Sequence, residues 1–395
     1  MRLAVIWHKV CWPSRRSPSG FAAHGGMVRQ VQWISEIFDQ TRVVAPCSAS
    51  GDREGERWVL GHNVSVVSLP PLAGSAWRAW VVLPWWLLQN GRTLVREIRQ
   101  ADAVFPVVPS PLGTVALFLT VMMRKPLLVR PMNVWSEPRL LWRLERALLE
   151  IIAGGRNVVF ATGESAAPPS KRNSAIRWIF TTTISEAELN GRLLPRRLGQ
   201  GPARLIIVGR QLETEGTRII LRALKQLSGD LPALALDVVG HGAALADMKR
   251  LAAELEVLDR VTFHGAATHE RVLELLQAAD LFCLPTAETD SVRQAIHEAL
   301  VCGLPVIAEE TPLLDGVRCG VILKKRTPEA FATAVRACLS DPQAYQRMSA
   351  EALRRARSYT LELWRDTIRD AVQEAWGPLK SARDSAPADA AVARC

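Results

Sequence analysis

The chain has 395 residues, 48% of them hydrophobic and 22% charged, with a formal net charge of +10. That length holds two or three domains with buried cores, and the apolar fraction excludes a disordered, collagen-like or low-complexity chain. Seven cysteines (Cys11, Cys47, Cys283, Cys302, Cys319, Cys338 and Cys395) are scattered without a Cys-x-x-Cys pair. They read as reduced thiols of a cytoplasmic protein, not as a disulfide framework or a zinc site.

Residues 1–7 form an apolar run cut short by His8 and Lys9, too short for a signal-peptide core. A strand is expected over 3–7, then a loop rich in Ser, Pro and Gly up to Gly26. A helix over 27–38 puts Val28, Val31, Ile34 and Phe38 on one face, and 43–45 is the next strand. Thirteen tryptophans are unusual, and several sit among arginines. Trp77, Arg78, Trp80, Trp85 and Trp86 precede Arg92, Arg96 and Arg99, which share a face at helical spacing. Strands over 103–108 and 126–129 flank a helical run over 114–123, and the apolar stretch 111–123 is below the roughly 20 residues of a spanning helix. In 138–152, Arg139, Arg143 and Arg146 lie on one side, and Leu140, Leu141, Leu144, Leu148 and Ile151 on the other. Either these two helices sheathe a sheet and show solvent their charged side, or they rest peripherally on an anionic membrane.

Polar breaks at 162–174 and 195–204 interrupt the pattern, the second marking an interdomain linker. Beyond it, strands over 205–208, 233–239, 261–263, 281–285 and 304–308 alternate regularly with helices, as in a doubly wound domain. The predicted division is 1–195, 196–355, a C-terminal helix over 356–377 that packs back on the first domain, and a disordered tail over 378–395. The fold class is α/β with two Rossmann-like halves.

Several chemistries are excluded by what is missing. There is no His-Glu-x-x-His, no Walker loop and no GxGxxG in the first βα turn, so zinc hydrolysis, common triphosphatase activity and ordinary dinucleotide binding are disfavoured. The basic charge raises nucleic acid as a partner. No zinc-finger spacing, aromatic-and-glycine RNA signature or basic arm supports it, and no nucleic-acid partner is expected.

Leu205-Ile-Ile-Val-Gly-Arg210, Val238-Val-Gly-His-Gly242, Val261-Thr-Phe-His-Gly265 and Ala279-Asp-Leu-Phe-Cys-Leu-Pro285 occur in that order. Asp290 and, eight positions on, Glu298 then precede Ala299-Leu-Val-Cys-Gly-Leu-Pro-Val-Ile307. This series resembles the C-terminal domain of retaining glycosyltransferases of the family-4 (group 1) type, well over 203–325 and only loosely in the N-terminal half. The resemblance implies a GT-B fold, two Rossmann-like domains facing a cleft, with a nucleotide-sugar donor and no metal or other cofactor. It implies that Arg210 and the helix start at Ser291 meet the diphosphate, a role suited to a guanidinium fork and a helix N-terminus. It further implies that Glu298 accepts from the ribose hydroxyls, that Asp290 faces the donor sugar, and that Gly265 and Ala266 line the base. Gly25 and Gly26, with His24 beside them, match a glycine pair near the acceptor and diphosphate. Each residue also has a plain structural reading: a surface arginine, a solvated helix glutamate, a helix cap, a loop glycine pair.

The sequence departs from the family at four points, one being that the N-terminal half lacks the histidine often set beside the donor sugar and has Arg130 or Asn133 nearby instead. Glu215 stands where a phosphate-binding lysine is usual, with Arg218 or Arg222 one turn on. The first glutamate of the pair is shortened to Asp290, and Glu309-Glu-Thr-Pro replaces a glycine pair. The expected function is transfer of a sugar from a nucleotide-diphosphate donor to a lipid-linked or polysaccharide acceptor in envelope or exopolysaccharide assembly. The alternatives are an inactive GT-B-like scaffold of another transferase and a nucleotide-sugar epimerase.

Overall fold

The structure, a computed structural model, describes residues 1–49, 56–72, 76–132, 135, 140–165, 167–190, 195–199, 201–209, 211, 215–285, 290–309, 311, 313–314 and 318–379. Most of the tail, from residue 380, lies outside them. The chain divides into two compact units, one reaching to Ile179 and resuming at Trp364, the other spanning Phe180–Leu363. The division falls upstream of the 195–204 segment that composition marks as a linker.

The first unit contains β1 (Arg2–Ile6), β2 (Cys11–Pro13), β3 (Phe21–His24), α1 (Met27–Ser35), β4 (Gln40–Pro46), β5 (Glu56–Trp58) and β6 (Val64–Leu69). It continues with α2 (Ala76–Gln100), β7 (Ala103–Pro106), α3 (Pro111–Met122), β8 (Leu127–Val129), α4 (Leu140–Ile152), β9 (Asn157–Thr162) and β10 (Arg177–Ile179). Seven strands form a parallel sheet in the order β10-β9-β8-β7-β1-β4-β6. The central strands are buried on both faces, which is why they read as unbroken apolar runs rather than alternating ones. The predicted loop before Gly26 instead holds a three-stranded antiparallel ribbon, β2-β3-β5. Its strands are three or four residues long, too short to show a period.

The second unit holds α5 (Glu186–Asn190), β11 (Arg204–Val208), α6 (Glu215–Gln226), β12 (Ala235–Val239), α7 (Leu245–Glu254), β13 (Val261–Gly265), α8 (His269–Ala278) and β14 (Leu281–Leu284). Then follow α9 (Asp290–Val301), β15 (Val306–Ala308), β16 (Gly320–Ile322), α10 (Pro328–Leu339), α11 (Pro342–Ala356) and α12 (Leu361–Trp376). Its six strands pair in parallel in the order β13-β12-β11-β14-β15-β16. Local sequence sets several helix starts. Thr268, Thr327 and Asp341 accept from backbone amides of α8, α10 and α11, and Pro328 and Pro342 occupy first-turn positions that lack a donor requirement. From Trp364 on, α12 belongs to the first unit, where Arg365 stacks on Trp33 and pairs with Glu36.

The helices of the first unit correct the expectation of a simple charged exterior. In α4 the buried side chains are Trp142, Glu145 and Leu149, while Leu144 is 63% and Ile151 79% exposed. Trp142 packs edge-on against Trp135, and the Thr114 hydroxyl meets the Glu145 carboxyl, which lets a glutamate occupy the inner face. In α2, Leu83, Trp86, Leu94 and Ile98 turn inward, whereas Trp85 is 65% and Leu88 78% exposed. No helix among the described residues is long and apolar enough to cross a membrane.

Candidate functional site

In an open parallel sheet, ligands bind at the carboxyl ends of the strands where the strand order reverses. In the second unit the chain runs outward from β11 to β12 and β13, then returns to β14 on the other side of β11, so the reversal lies between β11 and β14. Gly209 leaves the end of β11, and α9 opens soon after β14. Asp290, the first residue of α9, stands beside this reversal, and in the sequence Arg210 follows Gly209. The carboxyl edge is also drawn tight by backbone contacts. Gly240 donates to the Gly265 carbonyl at 2.7 Å, Gly209 to Val239 at 3.0 Å and Gln211 to His241 at 3.2 Å.

The Gly240-His241-Gly242 turn, which the sequence excludes as a dinucleotide motif, has a structural role here. A Cβ at Gly240 would lie 1.9 Å from the Gly209 carbonyl oxygen, and one at Gly242 would lie 2.0 Å from that of Gln211. Gly240 also has φ +130°, a conformation that L side chains rarely adopt. Both glycines are needed for the two turns to nest, and that nesting fixes the backbone on both sides of residue 210.

Glu298, two turns into α9, is 4% exposed. Its Oε1 accepts from the Thr183 hydroxyl at 3.3 Å and from Gln294 Nε2 at 3.0 Å, and lies 3.2 Å from His269 Nδ1. His269 Nε2 lies 3.8 Å from Glu188, whose other oxygen accepts from Ser185. A solvated helix glutamate is therefore the wrong description. The carboxylate is an oriented, buried acceptor. Next to it His297 is fully enclosed, and burial holds its pKa down to about 4 against smaller opposing contributions from the Ala356 carbonyl and Glu298. It is a neutral packing residue. Of the departures, Glu309 forms an ion pair with Arg326 at 2.6 Å.

In the first unit the strand order reverses between β1 and β7. His8 and Lys9 follow β1, and burial, then the Lys9 charge, lower His8 to about 4, leaving it neutral at neutral pH. Gly25 has φ +96°, and a Cβ there would sit 2.9 Å from the Lys9 ammonium. Gly26 caps α1, whose first turn carries no acidic residue and no side-chain cap. A cation thus stands beside the start of α1, the end of a helix that favours negative charge. Buried Arg130, beyond β8, donates to Gln30 of α1 at 2.9 Å.

The sequence-predicted residues thus fall into two groups. Gly25, Gly26 and His24 belong to the first unit; Gly265, Ala266, Asp290, Ser291 and Glu298 belong to the second. Arg210 lies outside the described residues, as do the side chains of His24, Glu215, Asp290 and Ser291. Sequence reasoning missed Thr183, Glu188, His269 and Gln294. Only Gln294 had a signal, its i−4 spacing from Glu298.

Residues 195–355 match the model of the family described as Glycosyl transferases group 1. That match covers most of the second unit. The GDP-mannose-dependent alpha-(1-6)-phosphatidylinositol monomannoside mannosyltransferase of Mycolicibacterium smegmatis is 28% identical over 44% of this chain and 47% of its own length. The D-inositol 3-phosphate glycosyltransferase of Rhodococcus opacus is 31% identical over 42% of this chain and 40% of its own. The chain therefore spans less than half the length of these relatives. Over nearly its whole length it shares a fold with HepE of Anabaena, solved in complex with UDP-glucose, at a TM-score of 0.66 and 14% identity, covering 95% of this chain and 100% of that one. The expected GT-B fold is the observed one.

Proposed function

We propose that the protein is a retaining glycosyltransferase that moves a sugar from a nucleotide-diphosphate donor to a lipid-linked acceptor. The observation that carries the donor half is the oriented Glu298 carboxylate on α9, the helix that opens beside the strand-order reversal. In this reading Glu298 accepts from the ribose hydroxyls, Gly265 and Ala266 border the base, and Asp290 faces the donor sugar. The α9 amides from Ser291 and Arg210 offset the diphosphate charge as the bond to the sugar breaks. Gly25, Gly26 and His24 serve the acceptor and diphosphate on the first unit, with the Lys9 charge beside them. No metal is assigned a part. Isothermal titration with UDP, GDP, ADP and their sugars tests the donor half. Binding of one nucleotide in the micromolar range is expected; no heat with any of them would leave a scaffold as the better reading.

A lipid-linked acceptor is favoured by the outer face of α2. Val81, Trp85 and Leu88 are exposed in its first half, and Arg92, Arg96 and Arg99 continue the same stripe. Exposed Phe118 and Met122 of α3, and Leu144 and Ile151 of α4, add apolar area to this unit. Aromatic and aliphatic groups followed by arginines suit insertion at headgroup level of an anionic bilayer. Sedimentation with vesicles of phosphatidylcholine, with and without phosphatidylglycerol, tests this. Binding to the anionic vesicles should fall at least tenfold in Leu88→Glu, with an unchanged Tm; equal binding of the variant would remove the membrane part of the proposal.

A further inference from the structure

Outside the candidate donor site, the first unit brings two cysteines into register. Cys11 opens β2, and Cys47 directly follows β4. They face each other as an isolated parallel bridge, with the Ser48 amide donating to the Cys11 carbonyl at 2.8 Å. Neighbouring strands run about 4.8 Å apart, inside the Cα separation of about 4.4–6.8 Å that a disulfide spans. Bridged residues present their side chains on one side of the sheet. The pair is asymmetric. Cys11 is fully buried and Cys47 half-buried.

We propose that Cys11 and Cys47 form a peroxide-oxidisable dithiol, with Cys47 as the attacking sulfur and Cys11 as the resolving one. The electrostatics agree with Cys47 as the attacking sulfur. The hydrogen bond from Cys11, assisted by Ser68 and the Leu69 backbone, lowers Cys47 to about 6 against the opposing effect of burial, while Cys11 is pushed far up. The Cys47 thiolate attacks hydrogen peroxide, the O–O bond breaks, and one water leaves a sulfenic acid on Cys47. The Cys11 sulfur then attacks the Cys47 sulfur, the S–O bond breaks, and the hydroxyl departs with the Cys11 proton as a second water. Two thiols and one peroxide thereby give one disulfide and two waters. Cys283 is raised by burial, Cys338 is pushed up to about 12 and Cys319 to about 11, so all three stay protonated.

The new bond has a structural consequence. Cys11 pairs with Ala23 of β3, and β3 runs directly into Gly25-Gly26. A disulfide would therefore fasten the β2-β3-β5 ribbon, and the glycine pair that leaves it, to the end of β4 in the main sheet.

The test uses the full reduced chain and hydrogen peroxide, followed by alkylation and non-reducing peptide mass spectrometry. A Cys11–Cys47 cross-linked peptide is expected, with five of the seven cysteines still alkylated, together with slower amide hydrogen exchange over residues 11–24. Cys11→Ser should stop at a sulfenic acid on Cys47 that dimedone traps. Without peroxide, Cys47 should be alkylated at pH 6 about tenfold faster than a thiol of ordinary pKa. That figure combines the larger thiolate fraction with the lower nucleophilicity of a low-pKa sulfur. Wild-type oxidation that ends at sulfenic acid, or a cross-link through any other cysteine, would overturn the proposal. Both readouts are made on the wild type, so a variant that fails to fold does not rescue the idea.

Discussion

Glu298 offers the sharpest test of the donor site, provided the right substitution is made. Its Oε1 serves Thr183, Gln294 and His269 inside a protein environment that leaves it 4% exposed. Glu298→Ala would strip the acceptor from buried donors at about 1–3 kcal/mol each and leave a cavity besides. A loss of several kcal/mol is a large part of a domain's typical stability of about 5–15 kcal/mol, so lost turnover in that variant would say nothing about ribose. Glu298→Gln keeps the shape and one carbonyl acceptor, while it removes the charge and turns the other oxygen into an amide donor. Its stability should fall by about 1–2 kcal/mol, because charge-assisted hydrogen bonds are roughly twice as strong as neutral ones. For a unit of this size that is a Tm shift of roughly 2–8 °C. Two ribose hydroxyls donating to a carboxylate are worth about 1.5–3 kcal/mol, which is about 10- to 150-fold in Kd. Thermal denaturation and titration calorimetry with the nucleotide that the wild type binds measure both quantities. A folded Glu298→Gln protein that binds within about threefold of wild type would refute the ribose role.

Gly240→Ala should destabilise the second unit by more than the roughly 1–3 kcal/mol of backbone strain alone, because the added Cβ meets the Gly209 carbonyl at 1.9 Å. Nucleotide affinity should fall with it, whereas Gly155→Ala, at φ +57° with open space around it, should cost about 1–2 kcal/mol and leave affinity unchanged. Equal Tm values for the two variants would contradict the nesting of the turns. Glu145 is raised above its ordinary value of 4.5 by burial, with the Thr114 hydroxyl opposing. A raised carboxyl favours the protonated native state, so its contribution is complete below the unfolded value and is lost as pH rises through the native one. Urea unfolding between pH 4.5 and 8 should therefore show wild type losing stability relative to Glu145→Gln as pH increases; a constant difference would rule out this titration.

The second unit was legible because its central strands β11 and β14 are largely buried and are followed by glycine or proline. Leu205-Ile-Ile-Val-Gly209 and Leu281-Phe-Cys-Leu-Pro285 carry their own boundaries, and Gly303 takes the left-handed conformation that its position after α9 predicts. The first half resisted for local reasons. Cys11-Trp-Pro13 and Phe21-Ala-Ala-His24 are too short to alternate, and pair with each other, with a third short strand and, through a single bridge at Cys11, with the residue after β4. In α4, Leu144 and Ile151 of the predicted apolar stripe face outward while Leu148 packs against the core. Trp142 and Glu145 take the inner positions because Trp135 and Thr114, distant in sequence, supply their partners. Hydrophobic spacing measures a helix's own asymmetry and is blind to what a neighbour offers.

The same limit explains the candidate site. Asp290 and Glu298 could be read because one helix carries both, and the first residue of α9 lies about 12 Å along its axis from Glu298. That separation suits a helix whose start meets phosphate and whose third turn meets ribose, with the intervening turns acting as a rigid spacer. What makes Glu298 a fixed acceptor comes from elsewhere: Thr183 precedes α5, and His269 opens α8. Neither residue has a motif around it, since each is defined only by converging on one carboxylate oxygen. Orientation of a buried charge requires donors from several elements, and donors gathered from several elements leave no spacing in the sequence. The residues that name a donor helix can therefore be read from the chain, while the residues that make its carboxylate competent emerge only after folding.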